Sequence, residues 1–146
     1  MKPEVITPAA CFRHLFSATR RGARLARHLT VHQLDEWGMA YGSDCSDRAE
    51  AIVAELAANA VTHGYVPGRS FEVRLTLTPR LLRIDVADAR TESWPWPAAQ
   101  PPSAEVESGR GLLLVDALSD RWSVLDRGAA PGKTVRAELD LGPGRL

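Results

Sequence analysis

Four groups of residues have types and spacings that suit chemistry. In Glu55-Leu56-Ala57-Ala58-Asn59-Ala60-Val61-Thr62-His63-Gly64 a carboxylate, a carboxamide and an imidazole recur every four residues. On a helix such a spacing leaves successive members about 40° apart on one face. A carboxylate can take a proton from a hydroxyl, and a carboxamide oxygen is a hard ligand for a divalent cation. Further on, Ser108-Gly109-Arg110-Gly111-Leu112 places two glycines just before an apolar run. Glycines at a helix start let backbone amides approach a phosphate, and the helix dipole favours the anion. Arg110 adds a full charge. Asp88 closes an alternating segment, where a carboxylate either caps a turn or accepts from a ligand amine. The fourth group is Gly132-Lys133-Thr134 near the end of the chain.

That last group does not make a phosphate-binding loop of the Gly-x-x-x-x-Gly-Lys-Thr kind. Arg127 stands where the first glycine belongs, and Val135-Arg136-Ala137-Glu138-Leu139 alternates like a strand instead of opening a helix. Nor does Gly109-Arg110-Gly111 continue as a dinucleotide fingerprint, because Leu114 occupies the third glycine position. Spacing supports no Ser-His-Asp set, no metal-binding histidine pair and no glycosidase-like pair of carboxylates.

The elements that must position these residues can be read from periodicity. Thr7 to Phe16 reads as a strand leading into a first helix, which Ser17 or Thr19 caps and which runs to about Trp37. Leu25, Leu29 and neighbouring alanines form its expected apolar stripe, opposite Arg20, Arg24 and Arg27, and Gly38 ends it. After a turn at Gly42-Ser43-Asp44, a second helix starts between Asp44 and Asp47 and closes at Gly64 as its C′ residue. Ile52, Val53, Leu56, Ala60 and Val61 form the stripe that holds it against a sheet, leaving Glu55 and Asn59 on another side. Asn59 is unusual there, since asparagine competes for backbone hydrogen bonds inside helices. From Phe71 the period becomes two: Phe71, Val73, Leu75 and Leu77, then Leu82, Ile84 and Val86 after Thr78-Pro79-Arg80, which together read as a hairpin ending at Asp88. A short apolar helix over Gly111 to Leu118 and strands over Trp122 to Leu125 and Thr134 to Leu141 complete the chain.

Residues 89–108 lack any period and contain Trp94-Pro95-Trp96-Pro97 and Pro101-Pro102. A long loop of this kind is usually a mobile functional segment, so a lid is expected here. Trp94 and Trp96 either cover an edge of the core or contact a ligand or partner. Runs of strands without regular helix alternation point to an α+β fold, with helices on one face of a mostly antiparallel sheet.

Composition sets the bounds. At 146 residues, 45% hydrophobic and 25% charged, the chain suits a single globular domain spanning residues 1–146. No apolar run reaches the roughly eighteen residues of a membrane span, and Met1-Lys2-Pro3-Glu4 does not open a signal-type segment, so a cytoplasmic protein is expected. Cys11 and Cys45 lie far apart without a metal-binding pattern and are expected to be buried. Eighteen basic and eighteen acidic residues cancel. Although Arg13, Arg20, Arg21, Arg24 and Arg27 make the start basic, a lone arginine-rich helix in a neutral domain suits solvent or a protein partner better than nucleic acid.

The four groups, in this order, resemble the GHKL-type (histidine-kinase-like) ATPase domain. The motifs are Glu55-Leu56-x-x-Asn59-Ala60-x-x-His63, Asp85-Val86-Ala87-Asp88, Gly109-Arg110-Gly111-Leu112-x-Leu114-Val115 and Gly132-Lys133-Thr134-Val135. Within that family they are most similar to the bacterial anti-sigma-factor and serine-kinase branch, and the likeness extends from about residue 12 onward. It implies a two-layer α/β sandwich, with a mixed, mostly antiparallel sheet and ATP bound between the helices and a lid. Asn59 would ligate the magnesium that bridges the phosphates, and Glu55 would be the general base. Asp88 would accept from the adenine amine, Gly109 and Gly111 would give backbone amides to the phosphates, and Thr134 would support the adenine end. His63, Arg110 and Leu112 complete the implied ATP site. The resemblance further implies binding to a sigma factor and phosphorylation of a serine or threonine on an anti-sigma-factor antagonist, and it leaves a homodimer open. One departure stands out: the family pattern often reads Asp-x-Gly-x-Gly, whereas this chain has Asp88-Ala89-Arg90. A nucleotide-binding interaction module without phosphotransfer is therefore the competing expectation. The catalytic part of a two-component histidine kinase fits less well, since no dimerisation and phosphoacceptor helix pair precedes the motifs.

Overall fold

A computed structural model of the chain describes residues 9–64, 69–88, 112–126 and 133–142. The elements, in chain order, are β1 (Ala10–Ser17), α1 (Arg20–Glu36), α2 (Asp44–Gly64), β2 (Ser70–Leu77), β3 (Leu81–Asp88), a short helix α3 (112–118), β4 (Arg121–Asp126) and β5 (Lys133–Asp140). The five strands form one sheet in the order β1-β2-β3-β5-β4. Every neighbouring pair among the described residues is antiparallel. β3 and β4 point the same way, as a strand-helix-strand crossover through α3 requires, but β5 inserts between them. The mixed sheet expected from the sequence thus has only antiparallel neighbours here.

Strand parity decides which face is buried. In the β2–β3–β5 ladder Val73 lies across from Val86 and Val86 from Val135, while Leu75, Ile84 and Ala137 make the next row. All six are buried, and they share one core with Ile52, Val53, Leu56, Ala57 and Ala60 of α2. The sandwich therefore has two layers, with the helices on this face. The opposite parity carries charge: Arg136 grips Asp85 at 2.9 and 3.2 Å, and Glu138 accepts from Arg83 at 2.8 Å and from Arg121 at 3.0 Å. Arg13 and Glu72 pair farther along the same face. Cys11 has this outer parity on an edge strand and is exposed, contrary to the expectation that both cysteines are buried; Cys45 is buried beside Met39.

Local chemistry sets the helix ends. The Thr19 hydroxyl caps α1 by accepting from the Gly22 amide at 3.0 Å. At the other end Gly38 takes φ +98°, a conformation glycine adopts without strain, and the Met39 amide returns to the Leu34 carbonyl at 2.8 Å. The buried row of α1 is Gly22, Ala26, Thr30 and Leu34. Leu25, expected in the stripe, is 46% exposed, and Leu29 is only partly buried. The helix is rotated from its most hydrophobic orientation because its small residues let α1 approach β1 and α2 closely. Arg27 then reaches Glu50 of α2 at 2.7 Å. Ser43 starts α2, its hydroxyl accepting from the Ser46 amide at 3.3 Å. The stripe expected for α2 is confirmed: Ile52, Val53, Leu56 and Ala60 are buried and Val61 is partly so.

Candidate functional site

Two anchors fix how α2 lies along the sheet. Near its N-terminus, Arg48 donates to the Leu118 carbonyl at the end of α3, at 2.8 Å, and stands 3.8 Å from Asp120. This end belongs with the C-terminus of β5, since the Asp120 amide bonds the Glu138 carbonyl. At its other end α2 leads within a few residues to β2, whose first residues lie across from Ser17 and Asp88. The last turns of α2 therefore overlie the sheet end where β3 finishes and β2 and β5 begin. α3 runs between the two ends on the same face, with Val115 buried and Leu112 and Leu118 packed against the core. Its N-terminus points to the α2 C-terminal end.

The sequence candidates distribute around this corner. Glu55 and Asn59 are both half-buried on α2, outside the row Ile52, Leu56 and Ala60. Packing of the helix's other side holds both in place, as a preorganised site requires. His63 belongs to the last turn of α2. Asp88 is the final residue of β3, at the register position across from Phe71 of β2 and Lys133 of β5. Leu112 is the first described residue of α3 and is half-buried. Gly109, Arg110, Gly111 and the expected lid at 89–108 lie outside the described residues.

Thr134 is placed differently. It stands across from Ala87 and Leu125, on the face away from the helices. Lys133, which precedes it and has the parity of Val135, Ala137 and Leu139, lies across from Asp88 of β3 and from Asp126 of β4.

An implied magnesium would find one oxygen donor here, the carboxamide of Asn59. Among the described residues no group of three or more His, Cys, Asp or Glu could hold a metal ion by itself. A cation beside Asn59 would draw most of its ligands from phosphate oxygens and water, which is the mode magnesium prefers.

The histidine kinase-like ATPase domain family matches residues 16–139, a span that includes Glu55, Asn59, Asp88 and Lys133. The chain belongs to that family. The ATPase domain is also similar in fold to the crystal structure of the RsbU and RsbW domains of Rv1364c from Mycobacterium tuberculosis, with 21% identity and a TM-score of 0.66. That likeness covers 90% of this chain and 32% of the other, so the domain spans about a third of the protein it resembles. No curated protein matches the chain. Among the described residues no helix of the ATPase domain is long and apolar enough to cross a membrane.

Proposed function

We propose that the ATPase domain binds Mg-ATP at the corner formed by the α2 C-terminal turns, the end of β3 and the start of α3, and acts in the cytoplasm as an anti-sigma-factor-like serine/threonine kinase. The observation that carries this reading is the placement of Glu55 and Asn59 on one half-buried face of α2, whose last turns overlie the sheet end that carries Asp88. Asn59 would hold the magnesium through its carboxamide oxygen, and the ion would offset the phosphate charge. Asp88 accepts from the adenine amine, and Gly109 and Gly111 offer amides to the phosphates beside Arg110. Glu55 takes the proton from the acceptor hydroxyl as its oxygen bonds the γ-phosphorus, and the bond to the β-phosphate oxygen breaks to release ADP. His63, in the last turn of α2, and Leu112, at the start of α3, belong to the same proposed site, and Thr134 acts from the outer face only through the strand that carries it. The acceptor is an anti-sigma-factor antagonist and the bound target a sigma factor.

A second reading, nucleotide binding without phosphotransfer, is favoured by Ala89-Arg90, where the family pattern often carries glycine. Calorimetry with Mg-ATP tests the part common to both. Wild type should bind, and Asn59→Ala and Asp88→Ala should each bind at least tenfold more weakly. Equal heats for all three proteins, or none with millimolar Mg-ATP, would remove the site.

A further inference from the structure

We propose that Arg48 is a positioning residue for the nucleotide site: it ties the flank of α2 that carries Glu55 and Asn59 to the end of α3, and so sets where those two side chains stand. This rests on the placement of Mg-ATP beside Asn59 and extends it to a residue near the far end of the same helix. Helical geometry is the starting point. Residues seven and eleven positions beyond Arg48 lie about 20° to either side of it, so Arg48, Glu55 and Asn59 form one stripe along α2. Glu50, whose carboxylate accepts from Arg27 of α1 at 2.7 Å, is about 160° away. The two flanks of α2 are thus tied to different neighbours: α1 on the side of Glu50, and α3 on the side of Arg48, Glu55 and Asn59.

The half-buried Arg48 guanidinium meets three groups at once. Its Nε donates to the Leu118 carbonyl at 2.8 Å, one terminal nitrogen stands 3.8 Å from Asp120, and the other donates to Asp44 at 3.4 Å. Leu118 ends α3, where the last carbonyls have no partner within the helix and a cation is favoured. Asp120 is itself locked to β5: its amide bonds the Glu138 carbonyl at 2.8 Å, and its carboxylate accepts from the Asp140 amide at 2.7 Å. Arg48 therefore joins α2 to a point that the sheet holds in place. A planar fork suits such a junction, whereas a lysine ammonium is a single point charge.

This junction restrains a motion that apolar packing leaves soft. Ile52, Val53, Leu56 and Ala60 hold α2 down on the sheet, but hydrophobic contact is non-directional and resists lifting more than a sideways swing. Asn59 lies eleven residues beyond Arg48, about 16 Å along the helix axis. Over that length a change of about 5° in the direction of α2 displaces Asn59 by about 1.4 Å. A preorganised site tolerates only about 0.5 Å.

The test is a double-mutant cycle on Mg-ATP affinity, measured by calorimetry on wild type, Arg48→Met, Asn59→Ala and the double variant, with urea denaturation confirming that each is folded. Arg48→Met should bind Mg-ATP about fivefold more weakly than wild type, and Arg48→Lys, which keeps the charge without the fork, should fall between the two. Asn59→Ala should cost about tenfold in wild type but no more than about threefold in the Arg48→Met background, because the carboxamide is already displaced there. Residues this far apart that act independently give additive losses instead, as a merely structural role for Arg48 would. If Arg48→Met does not fold, the same cycle on Arg48→Lys decides. Wild-type affinity in a folded Arg48 variant, or an undiminished penalty for Asn59→Ala in it, would overturn the positioning role and leave the nucleotide site standing. If wild type binds no Mg-ATP, the site and the positioning role fall together.

Discussion

α1 begins so close to the end of β1 that a Cβ on Gly22 would lie 1.9 Å from the carbonyl oxygen of Ser17. In an exposed helix, replacing glycine by alanine adds about 1 kcal/mol of stability. Here the new methyl group must displace backbone, so Gly22→Ala should instead destabilise by about 1–3 kcal/mol, in the range of other overpacked sites. Urea denaturation decides the sign. A stabilised Gly22→Ala would mean that α1 sits farther from β1 than this contact requires.

One helical turn pair farther along α1, the Thr30 hydroxyl is fully buried without a hydrogen-bond partner. A lone buried hydroxyl has lost its water and gained nothing in return, whereas valine has nearly the same shape and no polar group. Thr30→Val should therefore stabilise the domain by about 1 kcal/mol, raising its melting temperature by a few degrees. A variant less stable than wild type would show that the hydroxyl is satisfied in solution.

These two residues also show where sequence reading ends. The alternation of Phe71, Val73, Leu75 and Leu77 declares a strand and its buried face, and the spacing of Ile52, Leu56 and Ala60 declares the buried side of α2 with Glu55 and Asn59 left beside it. Both follow from local periodicity, which the sheet merely ratifies. The rotation of α1 does not, because it depends on the Ser17–Gly22 approach, a contact between two elements that hydrophobicity cannot register. Leu25 looks like a core residue and is exposed for that reason. Cys11 is similar: its residue type suggests burial, but parity on an edge strand decides otherwise.

The outer face of the sheet gives the domain an acid-sensitive contribution. Burial pushes the Glu138 carboxyl up, but hydrogen bonds from Arg121 and Arg83, with their charges, outweigh it and hold the group below its ordinary 4.5. Asp140 is likewise held below its ordinary 3.8, chiefly by the hydrogen bond from Arg121. Both groups bind a proton less readily folded than unfolded, so their stabilising contribution is complete above the unfolded values and disappears as pH falls through the folded ones. The urea midpoint should thus decline below about pH 4.5, the ordinary value for Glu138. Glu138→Gln should lower the midpoint at neutral pH and flatten that decline, so that the two curves converge in acid. Curves that stay parallel down to pH 3 would assign the acid sensitivity to other groups.

Glu55 and Asn59 lie one turn apart on α2, and the roles proposed for them, general base and metal ligand, would fail in different ways. The base acts mainly in the transition state, so Glu55→Gln should bind Mg-ATP almost as wild type does while phosphotransfer falls by a factor on the order of one hundred or more. Asn59→Ala removes a ligand present in the ground state as well, and should weaken Mg-ATP binding itself by about tenfold or more. Measuring both quantities on both variants tests the role of Glu55, because a merely structural change there would move binding and turnover together. In the proposed reaction the hydroxyl belongs to an antagonist protein, so the assay needs that protein as acceptor. Phosphate transfer by Glu55→Gln at the wild-type rate would exclude Glu55 as the base. A partner that binds wild type and receives no phosphate would favour the nucleotide-binding module, with Asn59 still holding magnesium and Glu55 left as a half-buried carboxylate beside it.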